Sequence, residues 1–270
     1  MSMVLFKREW KSNYKIFLIF IAIMTLYESI IVAMYDPKLG ESLNMMAESM
    51  PQLFAAFGMT DPGLTLLDFL TNYLYGFILI IIPLVYIMIM CHRLMARYID
   101  KGSMAYLLAT PHKRSDIFIT QLCVLLSGVI GLIVYSVVLI LGCSSMMFHE
   151  SIDIAKFLMT NVGLLGVHFF FASFCYLTAC SFNEVKLSIG IGAGVGVISI
   201  LIQMLSQVSD KIEFLKYFTP LTLFDAKGLQ VYDQQSLLCM AGLFALAVIC
   251  IVIGCMTVSY THLRAHETCA

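Results

Sequence analysis

The stretch FLTNYLYGFILIIIPLVYIMIM, at residues 69–90, decides the fold because it is predominantly apolar and contains no charged side chain. A helix needs about 20 consecutive apolar residues to cross the hydrocarbon core of a membrane, at about 1.5 Å of rise per residue. Five other stretches qualify, at residues 16–35, 117–143, 154–180, 187–207 and 237–258. None shows the alternating pattern of a membrane barrel. The sequence therefore predicts an all-α polytopic membrane protein with six transmembrane helices.

The composition of the whole chain supports this class. Hydrophobic residues make up 60% of the chain and charged residues 12%, whereas a soluble domain is about half apolar and about a quarter charged. The net charge of -1 argues against a nucleic-acid partner, which would require a basic excess on one face. We therefore expect contact with membrane lipid and none with nucleic acid.

The 9 cysteines do not indicate a disulfide framework, because their number is odd and most lie inside apolar runs. Those inside the runs are expected to behave as small buried hydrophobic side chains. They are Cys91, Cys123, Cys175, Cys180, Cys250 and Cys255. Cys143 and Cys239 lie near the outer ends of predicted spans. A disulfide between these two is one alternative, and free thiols are the preferred one.

Lysine and arginine in the short loops indicate the orientation, because cytoplasmic loops carry the excess of these residues. One side of the predicted membrane holds Lys7, Arg8, Lys11, Lys15, Arg93, Arg97, Lys101, Lys113, Arg114 and Lys186. The other side holds only Lys38, Lys156, Lys211, Lys216 and Lys227. We therefore predict a plasma-membrane protein with both termini in the cytoplasm and external loops at residues 36–68, 144–153 and 208–236.

The first and last external loops each contain a segment that is too short to cross the membrane. Residues 50–59 (MPQLFAAFGM) are semi-apolar, and Pro51 suits the first turn of a helix. Residues 217–223 (YFTPLTL) follow a charged stretch. Both segments are predicted to lie at the membrane surface, where they would act as lids or anchors or would line an exit path.

Residues 1–15 are predicted to form an amphipathic interfacial helix. Its apolar and basic positions recur at helical spacing and include Phe6, Lys7, Arg8, Trp10 and Lys11. Such a helix would hold Trp10 at the headgroup level and turn its basic face towards anionic lipid. Ser12 and Asn13 are expected to allow a bend into the first span. The alternative is a frayed cytosolic tail.

Two ionisable residues lie inside predicted spans, where burying a charge costs several kcal/mol. Glu28 belongs to the first span and His168 to the fourth. A functional role is one hypothesis for each residue. The preferred hypothesis is structural: Glu28 is protonated or paired within the bundle, and His168 is a neutral imidazole bonded to a backbone carbonyl.

A glycine-rich segment at residues 190–196 (GIGAGVG) superficially resembles a dinucleotide-binding loop, but its spacing is wrong and it lies within an apolar span. At helical spacing, Gly190 pairs with Gly194 and Gly192 with Gly196. Such pairs of small residues allow helix backbones to approach closely in lipid. Helix packing is therefore predicted, with a flexible gating point as the alternative.

The sequence carries no motif for catalysis or nucleotide binding. It contains no GxxxxGK(S/T) loop, no HExxH, and no closely spaced His and Cys pairs of a zinc site. We therefore expect no catalytic residue, no metal site and no cofactor bound by this chain.

The largest cytosolic segment, residues 91–116, joins the second and third spans. In this segment Gly102 can break one helix, Ser103 can cap the next, and Pro111 ends it. The apolar side chains of this short helix are Tyr106, Leu107 and Leu108. The helix is either a docking element for a partner or a loop packed against the ends of the spans.

Within this segment, residues 101–114 (KGSMAYLLATPHKR) resemble the signature of type-2 export permeases of ATP-binding-cassette transporters. That signature is a glycine, a short helix, a Leu-Leu pair, a small residue, Thr-Pro, and a basic residue opening the third span. The matching positions are Gly102, Leu107, Leu108, Ala109, Thr110, Pro111, Lys113 and Arg114. The acidic residue that precedes the glycine in the family is displaced, because Lys101 separates Asp100 from Gly102.

The resemblance implies the permease subunit of an exporter, with ATP and Mg held by separate ATPase subunits. Its short cytosolic helix would be the coupling helix, seated in a groove of the ATPase, and a second permease copy or paralogue would complete the pathway. The residues expected to couple are Gly102, Ser103, Tyr106, Leu107, Leu108, Thr110, Pro111, Lys113 and Arg114. The alternatives are an autonomous secondary transporter or channel, which would need a denser polar pathway, and an intramembrane hydrolase, which would need paired catalytic groups.

Residues 259–270 share no periodicity with the rest of the chain. Residues 259–268 (SYTHLRAHET) resemble the peptide obtained when sequencing-adapter DNA is translated in frame. We therefore expect a permease domain at residues 16–258 followed by a non-native tail, in which His262 and His266 do not form a metal site. A genuine short cytosolic tail is the alternative.

Overall fold

The computed structural model describes residues 2–35, 45, 48–56, 65–96, 114–148, 152–182, 185–208 and 210–267. Within these ranges all regular secondary structure is helical. Six helical segments are long and apolar enough to cross a membrane. The predicted all-α polytopic class and the predicted number of spans are therefore confirmed.

Five of the six spans are single α-helices. They are α1 (Met3–Met34), α5 (Arg114–Met147), α6 (Ile154–Ser181), α7 (Val185–Val208) and α9 (Gln234–Glu267). Most are longer than predicted, because the helices continue past the apolar residues that define the spans.

The second span is assembled from four consecutive helical pieces. They are α3 (Leu66–Leu70), a π-helix (Thr71–Ile78), α4 (Leu79–Cys91) and a second π-helix (His92–Ala96). Inside α4, Pro83 has no N–H to donate and its ring disturbs the preceding turn. Near the start of the span, the Thr71 hydroxyl donates to the Leu67 carbonyl oxygen at 2.7 Å.

Helix α6 lies at the centre of the bundle. In its most apolar window 72% of the residues are buried, against 22% for α1, 24% for α7 and 17% for α9. It contacts α4, α5, α7 and α9, whereas α1 pairs mainly with α5. The apolar residues exposed on α1, α7 and α9 therefore form the outer surface that a membrane would cover.

The bend predicted at Ser12 and Asn13 is wrong, because α1 runs without interruption from Met3 to Met34. Asn13 is buried and donates from Nδ2 to the Glu9 carbonyl oxygen at 2.9 Å, one turn earlier in the same helix. At about 1.5 Å per residue, a helix of this length is about 48 Å long and exceeds the roughly 30 Å hydrocarbon core. Either its amino-terminal part therefore extends beyond the hydrocarbon core, or the helix is tilted relative to the membrane normal.

The predicted external loops contain short helices that pack against one end of the bundle. Helix α2 (Pro51–Ala56) begins at Pro51, as predicted, and packs against α7. The last loop folds into two 3-10 helices, Asp210–Phe218 and Pro220–Leu223, followed by α8 (Ala226–Gln230). Helix α8 packs against α6 and the first π-helix, so this loop is attached to the spans.

The backbone of α9 continues through residue 258 to Glu267. The start of the predicted tail is therefore not marked by a break in the helix. The central part of the cytosolic segment, residues 97–113, lies outside the described residues.

Candidate functional site

A cluster of polar side chains lies inside the bundle where α1, the first π-helix, α5 and α6 meet. We call it the Glu28 cluster; it consists of Glu28, Tyr75, Ser136 and Asn161. All four side chains are buried, and Glu28 has no exposed surface. The Ser136 hydroxyl on α5 donates to Glu28 Oε1 on α1 at 2.6 Å. Glu28 Oε2 has no hydrogen-bond partner within the described residues.

Asn161 joins α6 to the π-helix of the second span. Its Nδ2 atom donates to the Tyr75 hydroxyl oxygen at 2.6 Å and to the Phe157 carbonyl oxygen at 2.8 Å. Asn161 Oδ1 is buried and has no partner in the described part of the chain. Glu28 is near enough to Tyr75 for the two groups to interact electrostatically. The cluster therefore contains two buried acceptor atoms without described partners, Glu28 Oε2 and Asn161 Oδ1.

A second polar contact attaches the covering loop to the second span. Gln230 Nε2, at the end of α8, donates to Thr71 Oγ1 at 2.6 Å, and both side chains are buried. Because Thr71 opens the π-helix that carries Tyr75, this bond joins the loop to the helix segment of the Glu28 cluster.

His168 lies apart from the cluster, buried between α6 and α4. Its Nδ1 atom is 2.8 Å from the Leu164 carbonyl oxygen, and its Nε2 atom is 3.3 Å from the Ile80 carbonyl oxygen. The predicted backbone-carbonyl contact is present, and the neutral state of the imidazole stays a prediction. No described hydrogen bond joins His168 to Glu28.

The four glycines of α7 divide into two faces. A Cβ atom at Gly192 would lie 2.6 Å from Thr178 Oγ1, and one at Gly196 would lie 3.2 Å from Leu84 Cδ2. At Gly190 and Gly194 a Cβ atom would meet nothing within 4 Å. Gly192 and Gly196 therefore provide close helix packing, whereas Gly190 and Gly194 face away from the described neighbours.

The amino-terminal turns of α1 pack against the ends of other spans on one side. Arg93, in the second π-helix, donates from Nε to Asn13 Oδ1 at 2.8 Å, and the Ser2 backbone N–H donates to Thr120 Oγ1 at 2.9 Å. Phe6 is half-buried against the core, and Trp10 meets Phe17 edge to face at 5.3 Å.

The other side of these turns is basic and exposed. It carries Lys7, Arg8 and Lys11, which leaves these three side chains free to meet lipid headgroups. Glu9 and Asn13 are buried, whereas Met3 and Val4 are exposed, so the amphipathic interfacial helix stays a prediction.

Of the predicted coupling residues, Arg114 begins α5. The others lie outside the described residues: Gly102, Ser103, Tyr106, Leu107, Leu108, Thr110, Pro111 and Lys113.

The cavities lined by described residues include two small ones, each with about 20 Å³ of free volume. One is lined by polar and sulfur-containing side chains that include Cys91, His92, Cys175 and Ser188. The other is mainly apolar and lies between the second span and α7. A volume of this size holds about one water molecule, so neither cavity fits an organic substrate in this conformation.

The described cysteines are free thiols, including Cys143 and Cys239. Among the described residues, no group of three or more His, Cys, Asp or Glu side chains is placed to hold a metal ion.

Glu28 could be predicted from the sequence as a candidate residue, but its partners could not. Ser136, Tyr75 and Asn161 are polar residues within apolar runs, which is the only signal that could have singled them out. That signal does not say which helix faces which.

The fold defines the class of the protein as an all-α, multi-pass membrane protein. Comparisons with protein-family models, with curated proteins and with solved structures found no match.

Proposed function

We propose that this chain is the permease subunit of an ATP-driven export transporter of the type-2 ATP-binding-cassette class. The observation that carries the proposal is the likeness of residues 101–114 to the signature of those permeases, between the second and third of six spans. The chain has no GxxxxGK(S/T) loop, so ATP and Mg would be held by separate ATPase subunits.

The helices on either side of the signature could transmit a movement of that segment to the spans. The second π-helix ends at Ala96 and α5 begins at Arg114, so any force on the segment between them acts on two spans. Arg93 is also bonded to Asn13 of α1. Movement of the segment by an ATPase would therefore reach three spanning helices and bias the bundle between two arrangements.

The proposal includes a particular assembly and orientation. A second permease copy or a paralogue completes the pathway, and the termini and the signature lie in the cytoplasm of a plasma-membrane protein. The support for the orientation is the excess of Lys and Arg in the loops on that side.

The proposal predicts that a protein with a GxxxxGK(S/T) loop is encoded beside this chain. Co-expressing that protein with the full chain and measuring the ATPase that co-purifies tests it, and a genome without such a neighbour would count against the proposal. Leu107→Pro should abolish the retention of the ATPase, because proline breaks a short helix, and reversing the charges of Lys113 and Arg114 should reduce it. Reversing the charges of Lys211 and Lys227, on the opposite side of the membrane, is the matched control and should change nothing.

The competing function is an autonomous secondary transporter or channel, which the buried Glu28 carboxyl favours. Purified chain in vesicles distinguishes the two functions. Movement of cargo along a proton gradient with no companion subunit present would overturn the permease proposal, as would full ATPase retention by the Leu107→Pro variant.

A further inference from the structure

We propose that the carboxyl group of Glu28 is a reversible proton-binding site between α1 and α5. The inference rests on the geometry of the Glu28 cluster and holds whichever cargo the protein moves. Glu28 is wholly buried, Ser136 donates to Oε1 at 2.6 Å, and Oε2 has no described partner. The hydrogen bond to Oε1 therefore fixes the position of the carboxyl group, and Oε2 is available to bind a proton.

The membrane-spanning parts of the neighbouring elements offer no positive charge to compensate a carboxylate. The described elements packed most closely on α1 are α5, α4 and the first π-helix. Residues 71–91 and 117–147 contain no Lys, Arg, His, Asp or Glu. The titratable groups that they place along α1 are tyrosines: Tyr75, Tyr86, which packs on Phe20, and Tyr135, whose hydroxyl is 2.6 Å from Thr25 Oγ1.

A carboxylate without a cation is energetically costly at membrane depth. A proton removes that cost and needs no free volume. Glu28 has no exposed surface, so the packing around it suits a proton better than an organic cation.

The cluster also contains a second buried acceptor and a hydroxyl group. Asn161 Oδ1 is a buried acceptor without a described partner. The Tyr75 oxygen accepts from Asn161 Nδ2, which leaves its own O–H free to donate. The surroundings of Glu28 are therefore polar but neutral, which suits a carboxyl that gains and loses a proton.

The test is infrared spectroscopy of the full chain reconstituted in lipid nanodiscs and titrated between about pH 5 and pH 9. The expected result is a carbonyl stretch of a protonated carboxylic acid that loses intensity as the pH rises and is missing from Glu28→Gln. Gln keeps the acceptor for Ser136, so the bundle should still assemble.

The Ser136→Ala variant tests the assignment of the carbonyl band to Glu28 independently of the Glu28→Gln variant. Loss of the hydrogen bond to Oε1 should raise the frequency of that carbonyl band. The matched control is Ser127→Ala on the same helix, because the Ser127 hydroxyl bonds only to the Val124 carbonyl oxygen of α5, and it should leave the band unchanged.

Two results would overturn the proposal. One is a spectrum in which no carbonyl band responds to Ser136→Ala at any pH, which would mean that Glu28 is always a carboxylate. The other is a Glu28 band whose intensity does not change with pH, which would mean a permanently neutral structural acid.

Discussion

Gly192 shows how a single residue sets the distance between two helices. The position that a Cβ atom would occupy is 2.6 Å from Thr178 Oγ1 and 3.3 Å from Cys175 Cα. Thr178 Oγ1 also donates to the Cys175 carbonyl oxygen at 2.8 Å, so it cannot turn away without losing that bond. The sequence predicted packing for all four glycines, but only the tertiary structure separates Gly192 and Gly196 from Gly190 and Gly194.

At the residue scale we therefore predict opposite effects for two alanine substitutions in α7. Gly192→Ala should lower the free energy of unfolding by about 1–3 kcal/mol, because the added methyl group overpacks the contact with α6. Gly190→Ala should leave it unchanged or raise it by up to about 1 kcal/mol, because alanine is the better helix former. Thermal unfolding of both variants in the same detergent checks this, and equal melting temperatures would contradict the packing role of Gly192.

At the scale of elements, α1 is the clearest departure from the sequence prediction. Ser12 and Asn13 are residues that often interrupt helices, because their side chains compete for backbone hydrogen bonds. Here Asn13 uses its side chain within the helix, towards Glu9, and across the bundle, towards Arg93. Local propensity pointed to a bend, whereas the helix is continuous and the Asn13 side chain bonds a residue far along the chain.

We predict that Ser12→Pro destabilises the protein by about 3 kcal/mol, because proline inside a helix removes a hydrogen bond and clashes with the preceding turn. Met3→Pro is the control: Met3 is the first helical residue after the extended cap Ser2, a position that suits proline. Thermal unfolding measures both variants. A harmless Ser12→Pro would instead indicate the bend that the sequence suggested.

At the scale of the whole molecule, the bundle is a central α6 surrounded by helices whose outer faces are apolar. The loop that contains α8 is attached to the second span through Gln230 and Thr71. The orientation proposed for this assembly rests on loop charges alone, so it is open to a direct chemical test.

We predict that a membrane-impermeant amine reagent applied to intact cells modifies Lys211 and leaves Lys11 unmodified until the cells are opened. Both side chains are exposed. Lys211 is a better reporter than Lys216, because the hydrogen bond with Glu213 raises the pKa of Lys216 and keeps its amine protonated. Peptide mass spectrometry reads the result, and modification of Lys11 in intact cells would reverse the orientation.

The sequence by itself determined the all-α class, the number of spans and the position of the intramembrane carboxyl. These properties follow from the free energy of transferring each segment from water into lipid, which is a sum over the residues of the segment. Only the tertiary structure decided that Glu28 meets Ser136, that Tyr75 meets Asn161, and that Thr71 meets Gln230. Each pair joins residues far apart in the chain, and whether they meet depends on the rotation of each helix about its axis, which apolar length and loop charge do not specify.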